Sequence, residues 1–287
     1  MRRTRHRRIG RLAAGIAVAA SLCASHAGAA PQRIVSIHLC GDQLALALAD
    51  PAQIASLSRF ARDRARSYMA EAAEGIPLNN GLAEEVVRFE PDLVLAGALS
   101  GRTTVQALRA LGYPVLDLGL PASLEAIRDQ TMQAAKAFGH EARGRVILAE
   151  MDARLAHARA GRPEAAPVAL VWQPHSFASG PGSLEHEFLV AAGFRDLAEE
   201  LGLGALGRVP LERLVRQRPA LVVNWMGDEG TPSLARELFD HPALKHGATR
   251  RIETIPQRLW TCPGWFSVDA VERLAAARRA LTDGATP

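Results

Sequence analysis

The chain has 287 residues, of which 48% are hydrophobic and 22% are charged, so it is long and apolar enough to fold around a core. Its net charge of +4 comes from the first thirty residues, which hold six arginines and no acidic residue. The other 257 residues carry 28 basic and 30 acidic side chains, so basicity gives no reason to expect a nucleic-acid partner.

Residues 1–30 have the parts of a secretory signal peptide. An arginine-rich start precedes an apolar run from Leu12 to Cys23, and Ala27-Gly28-Ala29 is a small-residue cleavage pattern. The apolar run is too short to span about 30 Å of hydrocarbon, which argues against a membrane anchor. Leu22 stands where a lipoprotein usually has a small residue, so a lipid anchor on Cys23 is the weaker alternative. We therefore expect the mature chain to be exported.

Residues 31–121 predict an N-terminal α/β lobe in which strands and helices alternate. The predicted strands cover 33–37, 53–57, 92–96 and 114–118, and the predicted helices cover 42–49, 82–89 and 103–111. Parallel strands need a crossover between them, and a helix usually provides it. The alternation therefore predicts a parallel sheet covered on both faces.

Residues 122–161 predict a linking helical segment. Helix formers dominate it and its apolar residues recur near helical spacing, while Ser123 is a suitable N-cap and Gly161 and Pro163 end the run. We interpret the segment as one or two long helices joining two lobes. An ordinary helix pair within a single domain is the alternative.

Residues 162–287 predict a C-terminal α/β lobe. The predicted strands cover 168–172, 221–224 and 251–255, and the predicted helices cover 184–192, 211–217, 233–239 and 268–281. Alternation again favours a parallel sheet.

An internal repeat supports two lobes of similar construction. Residues 83–94 and 211–222 each place a glutamate, Glu84 or Glu212, seven residues before a proline, Pro91 or Pro219, and an apolar strand follows. Proline ends each helix, because it has no N–H and restricts the residue before it.

With these pieces in order, the chain resembles the periplasmic binding proteins of ABC importers for iron–siderophores, haem and cobalamin. The resemblance spans the mature chain, and its best-matched pieces are residues 33–36, 85–95, 112–115, 265–266 and the second-lobe repeat. It implies two Rossmann-like α/β lobes joined by a long helix, with a ligand cleft between them and little lobe motion. It also implies a periplasmic monomer that is not an enzyme and has no cofactor.

The resemblance further implies a partner, the ABC permease/ATPase complex at the inner membrane. In the family one surface glutamate on each lobe docks on the permease, and the matching residues here are Glu84 and Glu212. Two separated carboxylates can fix the orientation of the binding protein on the permease and speed the encounter of the two proteins. The alternative is that each is a solvated glutamate in the first turn of a helix, where the dipole favours it.

Ligands of open α/β sheets lie beyond the carboxyl ends of the strands. The loops at the predicted ends supply the candidate ligand contacts His38, Arg59, Phe60, Asn80, Ser100, Trp172, His175, Trp225 and Trp265. Trp260 also falls in such a loop, so all four tryptophans of the chain lie at predicted strand ends. This predicts a flat aromatic wall suited to a corrin, a porphyrin or an aromatic siderophore. Four arginines of these loops and the nearby chain are available to bind acidic groups of a ligand: Arg59, Arg62, Arg102 and Arg208.

His38 and His175 belong to opposite predicted lobes, where either is a possible axial ligand of a chelated metal; a structural histidine is the alternative. Tyr68 and Tyr113, the two tyrosines of the chain, fall outside the predicted ligand loops, which counts against a tyrosine-ligated haem. We therefore expect a ferric siderophore or cobalamin as the ligand.

Cys40 and Cys262 both lie in predicted cleft loops. An exported chain meets an oxidising compartment, so the two residues are candidates for a disulfide between the lobes. Two buried thiols are the alternative.

Two other functions stay open at this point. An exported tetrapyrrole-binding or chelatase-like enzyme is one, although the sequence has no G-x-S-x-G, H-E-x-x-H or P-loop motif. Capture of a bare metal ion is the other, and it needs three or four converging ligands, whereas the seven histidines after residue 30 form no H-x-H pair.

Overall fold

The computed structural model describes residues 30–98, 100–224, 239, 241–244 and 249–283. Within them the chain forms two α/β lobes, which confirms the predicted fold class. The described strands of the N-terminal lobe are β1 (Ile34–Ser36), β2 (Ile54–Ser58), β3 (Leu78–Asn79), β4 (Leu93–Gly97) and β5 (Val115–Leu118). They form one parallel sheet in the order β3-β2-β1-β4-β5.

Helices cover both faces of this sheet. The helices of the lobe are α1 (Leu39–Leu48), α2 (Ala83–Val87) and α3 (Arg102–Ala110). Successive strand residues point to opposite faces, so Ile34 packs in the core under α1 while Val35 packs in the core under α2 and α3. The sheet is therefore central, and its strand ends are left to form a binding surface.

The linking segment consists of two helices, α4 (Leu124–Phe138) and α5 (Glu141–Arg159), and not of one long helix. Gly139 separates them, because its φ of 82° lies in the left-handed region that ends a helix. The two helices pack against each other. Ser123 caps α4 as predicted, since its Oγ accepts a hydrogen bond from the Ala126 N–H at 3.0 Å.

Both linking helices contribute to the cores of both lobes. Leu124 at the start of α4 packs in the C-terminal core, and Phe138 at its end packs in the N-terminal core. On α5, Ile147 packs against the N-terminal core and Met151 packs in the C-terminal one. The helix pair therefore ties the two lobes together through buried apolar surface.

The C-terminal lobe holds a mixed sheet. Its described strands are β6 (Val168–Gln173), β7 (Phe177–Ser179), β8 (Arg195–Asp196), β9 (Leu206–Arg208), β10 (Leu221–Asn224) and β11 (Arg251–Thr254). Their order is β11-β10-β6-β7-β9, and β8 pairs with the start of β6. The three predicted strands β6, β10 and β11 are parallel as expected, whereas β7, which was not predicted, runs antiparallel to β6 and to β9. The three-residue connection Pro174–Ser176 can only reverse the chain.

The described helices of the C-terminal lobe are α6 (Leu184–Ala191), α7 (Leu197–Glu200), α8 (Leu211–Gln217) and α9 (Val268–Asp283). The helix predicted over 233–239 lies outside the described residues except for Phe239. In the part of the chain that the structure describes, no helix is long and apolar enough to cross a membrane.

The sequence repeat has a structural counterpart. In each lobe a short helix, α2 or α8, leads through a buried proline to a strand, β4 or β10, that pairs with the first strand of its lobe. The residue before each proline, Glu90 or Arg218, has a φ of 47°. A non-glycine residue rarely adopts this left-handed conformation, so its presence in both units supports a common construction of the lobes.

Candidate functional site

A cavity of about 640 Å³ lies between the lobes. Arg64 and residues 67–72 of the N-terminal lobe form one wall, and Arg258 and Asp269 of the C-terminal lobe form the other. Its volume is within the usual range for small-molecule sites. A ligand in this cavity contacts both lobes at once.

Tyr68 is the aromatic side chain of this cavity. Its ring stacks on Phe266 of the C-terminal lobe, with ring centroids 4.3 Å apart and planes 8° from parallel. Its hydroxyl donates to the Asp269 carboxylate at 3.2 Å. Partial burial and the nearby Asp269 charge raise the pKa of Tyr68, so the phenol is neutral at pH 7.

Tyr68 was expected outside the ligand loops, and the structure places it on the wall of the cavity between the lobes. No helix or strand interrupts residues 59–77 between β2 and β3, and this long connection places Tyr68 against α9. The length of the connection was a signal in the sequence, since long loops are often functional. Tyr68 therefore no longer counts against a tyrosine-ligated haem.

The charges around the cavity are unevenly matched. Asp269 accepts from the Arg154 guanidinium of α5 at 2.7 Å, and Arg154 also binds Glu272. Among the described residues, half-buried Arg258 has no ion pair. Arg258 therefore offers the cavity a cation that an acidic group of a ligand can pair with.

A second cavity of about 500 Å³ lies at the carboxyl ends of β4 and β5. Ser100, a predicted ligand contact, lines it together with Arg102 and Asp117. The Ser100 Oγ accepts from the Gly97 N–H at 2.9 Å and so fixes the end of β4. Of the predicted ligand contacts, Ser100 alone lines either of these two cavities in the described structure.

His38 lies behind this second cavity and does not line it. Its ring is 7% exposed, and a methyl group at Gly97 would come within 2.4 Å of its Cε1 atom. Burial lowers the pKa of His38 to about 4, so the ring is neutral at pH 7. Within the described residues Nε2 is buried and has no hydrogen-bond partner.

A buried polar network joins the ends of β1 and β2. The Asp42 carboxylate accepts from the Ser58 N–H at 2.9 Å and from its hydroxyl at 2.6 Å. Asp42 is fully buried, which raises its pKa to about 7. The Asn79 amide donates to the Ser36 carbonyl and to the Ser56 hydroxyl, both at 2.9 Å. Asn79 belongs to the predicted loop of Asn80, whereas Asp42 was not predicted, although a polar residue that follows an apolar strand was a signal.

The predicted tryptophan wall is wrong for Trp172 and Trp260. Trp172 is fully buried, and its Nε1 donates to the Val209 carbonyl at 2.8 Å. It packs in a core that includes residues of α7, of β7 and of the chain just after β9, none of which was predicted. Trp260 is also buried and packs against Phe188. Short strands and helices leave no periodic signal, so the sequence did not show what covers these rings.

The other predicted contacts are scattered. Trp265 is half-buried and packs against the cores of both lobes, whereas Trp225 lies outside the described residues. Asn80 donates to the Glu85 carboxylate through its backbone N–H at 2.6 Å and its side-chain amide at 2.9 Å.

Arg59 lies 4.7 Å from the centroid of the Phe60 ring, and Phe60 packs beside Cys40. His175 is exposed, with a φ of 61°. In the described structure His38 and His175 are therefore a buried and an exposed side chain, and no facing pair is formed.

Cys40 and Cys262 form a disulfide, with their Cα atoms 4.9 Å apart. Cys40 lies in the first turn of α1 in the N-terminal lobe, and Cys262 follows the short helical turn Gln257–Leu259 in the C-terminal lobe. The bond therefore joins the two lobes beside the cavity.

Glu84 and Glu212 are exposed and occupy the first turns of α2 and α8, the matched helices of the repeat. Neither has an ion pair within the described part of the chain. The described residues also include no group of three or more His, Cys, Asp or Glu side chains arranged to hold a metal ion.

Residues 34–272 match the family described as periplasmic binding protein. A curated relative, the cobalamin-binding protein of Halobacterium salinarum, is 25% identical over 228 residues, which are 76% of this chain and 60% of that protein. The chain thus spans 60% of the length of the curated relative that it matches.

Solved structures share the fold. A possible iron-binding periplasmic solute-binding protein from Staphylococcus epidermidis matches with a TM-score of 0.72 and 14% identity over 87% of this chain and 99% of that one. The periplasmic haem-binding protein RhuT from Roseiflexus matches with a TM-score of 0.69 and 23% identity over 87% and 98%. The periplasmic vitamin B12-binding protein BtuF of Vibrio cholerae matches with a TM-score of 0.64 and 17% identity over 88% and 98%.

Proposed function

The chain belongs to the periplasmic binding protein family, and we propose that it captures a metal chelate between its lobes and delivers it to an ABC importer. The observation that carries the proposal is the cavity walled by Tyr68 of one lobe and by Arg258 and Asp269 of the other. A ligand that contacts both lobes stabilises the arrangement in which they face each other, and this differential binding is what a carrier needs.

The cavity chemistry favours an acidic chelate. Arg258 supplies an unmatched positive charge, which suits the carboxylate, catecholate or phosphate groups of siderophores and corrinoids. Cobalamin and ferric siderophores are therefore the ligands that we propose first. Haem is a second candidate, because Tyr68 faces the cavity and a tyrosine oxygen can bind haem iron.

Among the residues predicted from the sequence, Ser100 and His38 lie apart from the cavity of Tyr68 and Arg258. Ser100 lines the second cavity, at the end of β4, and remains a candidate contact there, whereas the His38 ring is buried beside Gly97. Arg59, Phe60, Asn80, His175, Trp225 and Trp265 remain candidate contacts at the strand ends. Trp172 does not, because its ring is enclosed in the core.

Permease docking is assigned to Glu84 and Glu212. The assignment is supported by the equivalent positions of the two residues in the two lobes. Each is exposed in the first turn of a short helix, and each helix is followed by a residue with positive φ, a proline and a central strand. Two exposed carboxylates on separate lobes can fix the orientation in which the carrier binds the permease.

We place the mature protein in the periplasm. The signal-peptide pattern of residues 1–30 supports export, and the Cys40–Cys262 disulfide suits an oxidising compartment. The inner-membrane permease and ATPase would then be its partners.

Native mass spectrometry of the mature protein tests the ligand class. The protein is incubated separately with cyanocobalamin, haemin, ferric enterobactin, ferrichrome and zinc chloride. Retention of one chelate per chain, with no retention of zinc, is the expected result. Retention of zinc alone would contradict the proposal, and so would metal insertion into added protoporphyrin, which would instead support a chelatase.

A further inference from the structure

We propose that Gln43 is a positioning residue that holds the cavity wall bearing Tyr68, and that the Cys40–Cys262 disulfide is a redox-sensitive lock on this arrangement. The inference rests on the proposed function insofar as the cavity is the ligand site. Gln43 and Cys40 both act through α1, which couples the two lobes.

Gln43 bridges the two sides of the cavity. Its side chain is 1% exposed, and its Nε2 donates to the Cys262 carbonyl of the C-terminal lobe at 3.1 Å. Its Oε1 accepts from the Tyr68 N–H at 2.7 Å. One buried amide thus binds the C-terminal lobe and the cavity wall at once. A buried amide with both ends bonded is costly to disturb, because each lost contact leaves a partner unsatisfied.

The disulfide lies on the same side of α1 as Gln43. Residues three apart in a helix are neighbours on one face, so Cys40 and Gln43 lie on the same face of α1, next to Cys262. The disulfide holds the Cys262 backbone against α1, and this places the Cys262 carbonyl within reach of the Gln43 amide. The covalent bond and the hydrogen bond therefore act on the same residue.

Tyr68 is held from both lobes. Gln43 fixes its backbone, while Phe266 stacks on its ring and Asp269 accepts a hydrogen bond from its hydroxyl. If the Cys262 segment moves away from α1, Gln43 loses its anchor in the C-terminal lobe. The Tyr68 N–H then loses a fixed acceptor, and the cavity wall loosens.

The redox step is thiol–disulfide exchange with a dithiol. A reductant thiolate attacks one Sγ, which forms a mixed disulfide, breaks the Sγ–Sγ bond and releases the other Sγ as a thiolate. The second reductant thiolate then attacks the reductant sulfur of the mixed disulfide and releases the first Sγ as a thiolate. The two cysteines take up two electrons and two protons and become thiols, while the dithiol is oxidised to a disulfide. The apolar contacts of Cys40 with Leu39 and Phe60 remain to hold the region without the covalent bond.

Hydrogen exchange of single amides in the ligand-free full mature chain tests the proposal. The Tyr68 amide is compared in the oxidised protein, in the same protein treated with dithiothreitol, and in the oxidised Gln43→Leu variant. The matched control is the Ala73 amide, which donates to the Met69 carbonyl within the same segment and does not touch Gln43. We expect Tyr68 to exchange at least tenfold faster after reduction and in the variant, with less than a twofold change at Ala73.

Reduction of the wild-type chain introduces no substitution, so the proposal remains testable if Gln43→Leu fails to fold. Unchanged Tyr68 exchange after reduction would overturn it, because the disulfide would then not control this contact. Equal acceleration at Tyr68 and Ala73 would also overturn it, since the segment would be unfolding as a whole. No ligand is present, so either outcome is independent of whether the protein carries a chelate.

Discussion

The ring of Tyr68 in the N-terminal lobe stacks on the ring of Phe266 in the C-terminal lobe, with centroids 4.3 Å apart. The pair lies between the cavity at the lobe interface and the core around α9, because Tyr68 lines the cavity and Phe266 is buried. One aromatic contact thus contributes both to the wall of the site and to the association of the lobes.

Removing this stack should destabilise the protein. We expect Tyr68→Leu to lower the free energy of unfolding by about 1 kcal/mol beyond the change in buried area, the usual strength of an aromatic pair. Tyr68→Phe keeps the ring and should lose less, since it removes only the hydroxyl bond to Asp269. Urea unfolding of the three proteins measures the difference, and equal losses in both variants would show that the ring contact contributes nothing.

Asp42 and His38 should have opposing effects on stability as pH changes. Asp42 has a folded pKa of about 7 against an ordinary 3.8, so it stabilises the fold at low pH and loses that effect as pH rises through 7. His38 has a folded pKa of about 4 against 6.5, so it stabilises the fold above 6.5 and loses that effect as pH falls towards 4. Between about pH 4 and pH 6.5, Asp42 binds the proton in the folded state and His38 binds it in the unfolded state. Each state then holds one proton on the two residues, so their effects on the pH dependence of stability cancel.

Single substitutions should reveal each effect. Relative to wild type, the stability of Asp42→Asn should rise with pH between about 4.5 and 6, with a slope of up to about 1.4 kcal/mol per pH unit. The stability of His38→Gln should fall with pH over the same range. Urea unfolding at three pH values measures the slopes. Slopes of the same sign in the two variants would show that Asp42 and His38 do not have opposite effects on the pH dependence of stability.

Gly97 should be needed to accommodate His38. A Cβ at residue 97 would lie 2.4 Å from the His38 ring, so Gly97→Ala should cost about 1–3 kcal/mol, as overpacking does. The double variant Gly97→Ala/His38→Ala should be less destabilised than the sum of the single changes. Gly119→Ala is the control, because no atom lies within 4 Å of the added methyl group. Additive losses in the double variant would show that the two residues do not press on each other.

Charge reversal at the docking residues should separate transport from binding. We expect Glu84→Arg/Glu212→Arg to reduce uptake of the bound chelate by more than tenfold in cells that carry the cognate importer, with an unchanged Kd for the chelate. Glu150→Arg, an exposed change in the middle of α5, should leave uptake intact. A weaker Kd in the double variant would place these residues in ligand binding, and normal uptake would remove them from docking.

The sequence predicted the parts of the fold that produce long periodic signals. The N-terminal sheet, the linking helices and the α8–β10 unit follow from apolar periodicity and from prolines such as Pro91 and Pro219 that end helices. The short strands β3, β7, β8 and β9 could not be predicted, because two or three residues carry no measurable period. The missed β7 and β9 also explain the error at Trp172, whose cover they help to build.

The candidate site was harder to predict than the fold. Residues placed at strand ends by sequence lie in the expected loops, but Asn80 bonds to Glu85 of α2 and His38 is buried. Tyr68 reaches the site through the long connection after β2, whose path depends on packing against Phe266 and Asp269, and these residues lie about two hundred positions away. Sequence pattern alone does not encode such a contact.

The most direct test of the central claim is the Kd of the chelate retained by the mature protein, measured for wild type, Arg258→Ala and Arg273→Ala. Arg273 is an exposed arginine of α9 that does not line the cavity, so it controls for loss of charge. If the chelate binds between the lobes, Arg258→Ala should weaken binding by about tenfold, since an ion pair with a partly buried arginine is worth about 1.5 kcal/mol, and Arg273→Ala should leave the Kd unchanged. Equal Kd values for all three proteins would contradict the placement of the ligand in the cavity of Tyr68 and Arg258.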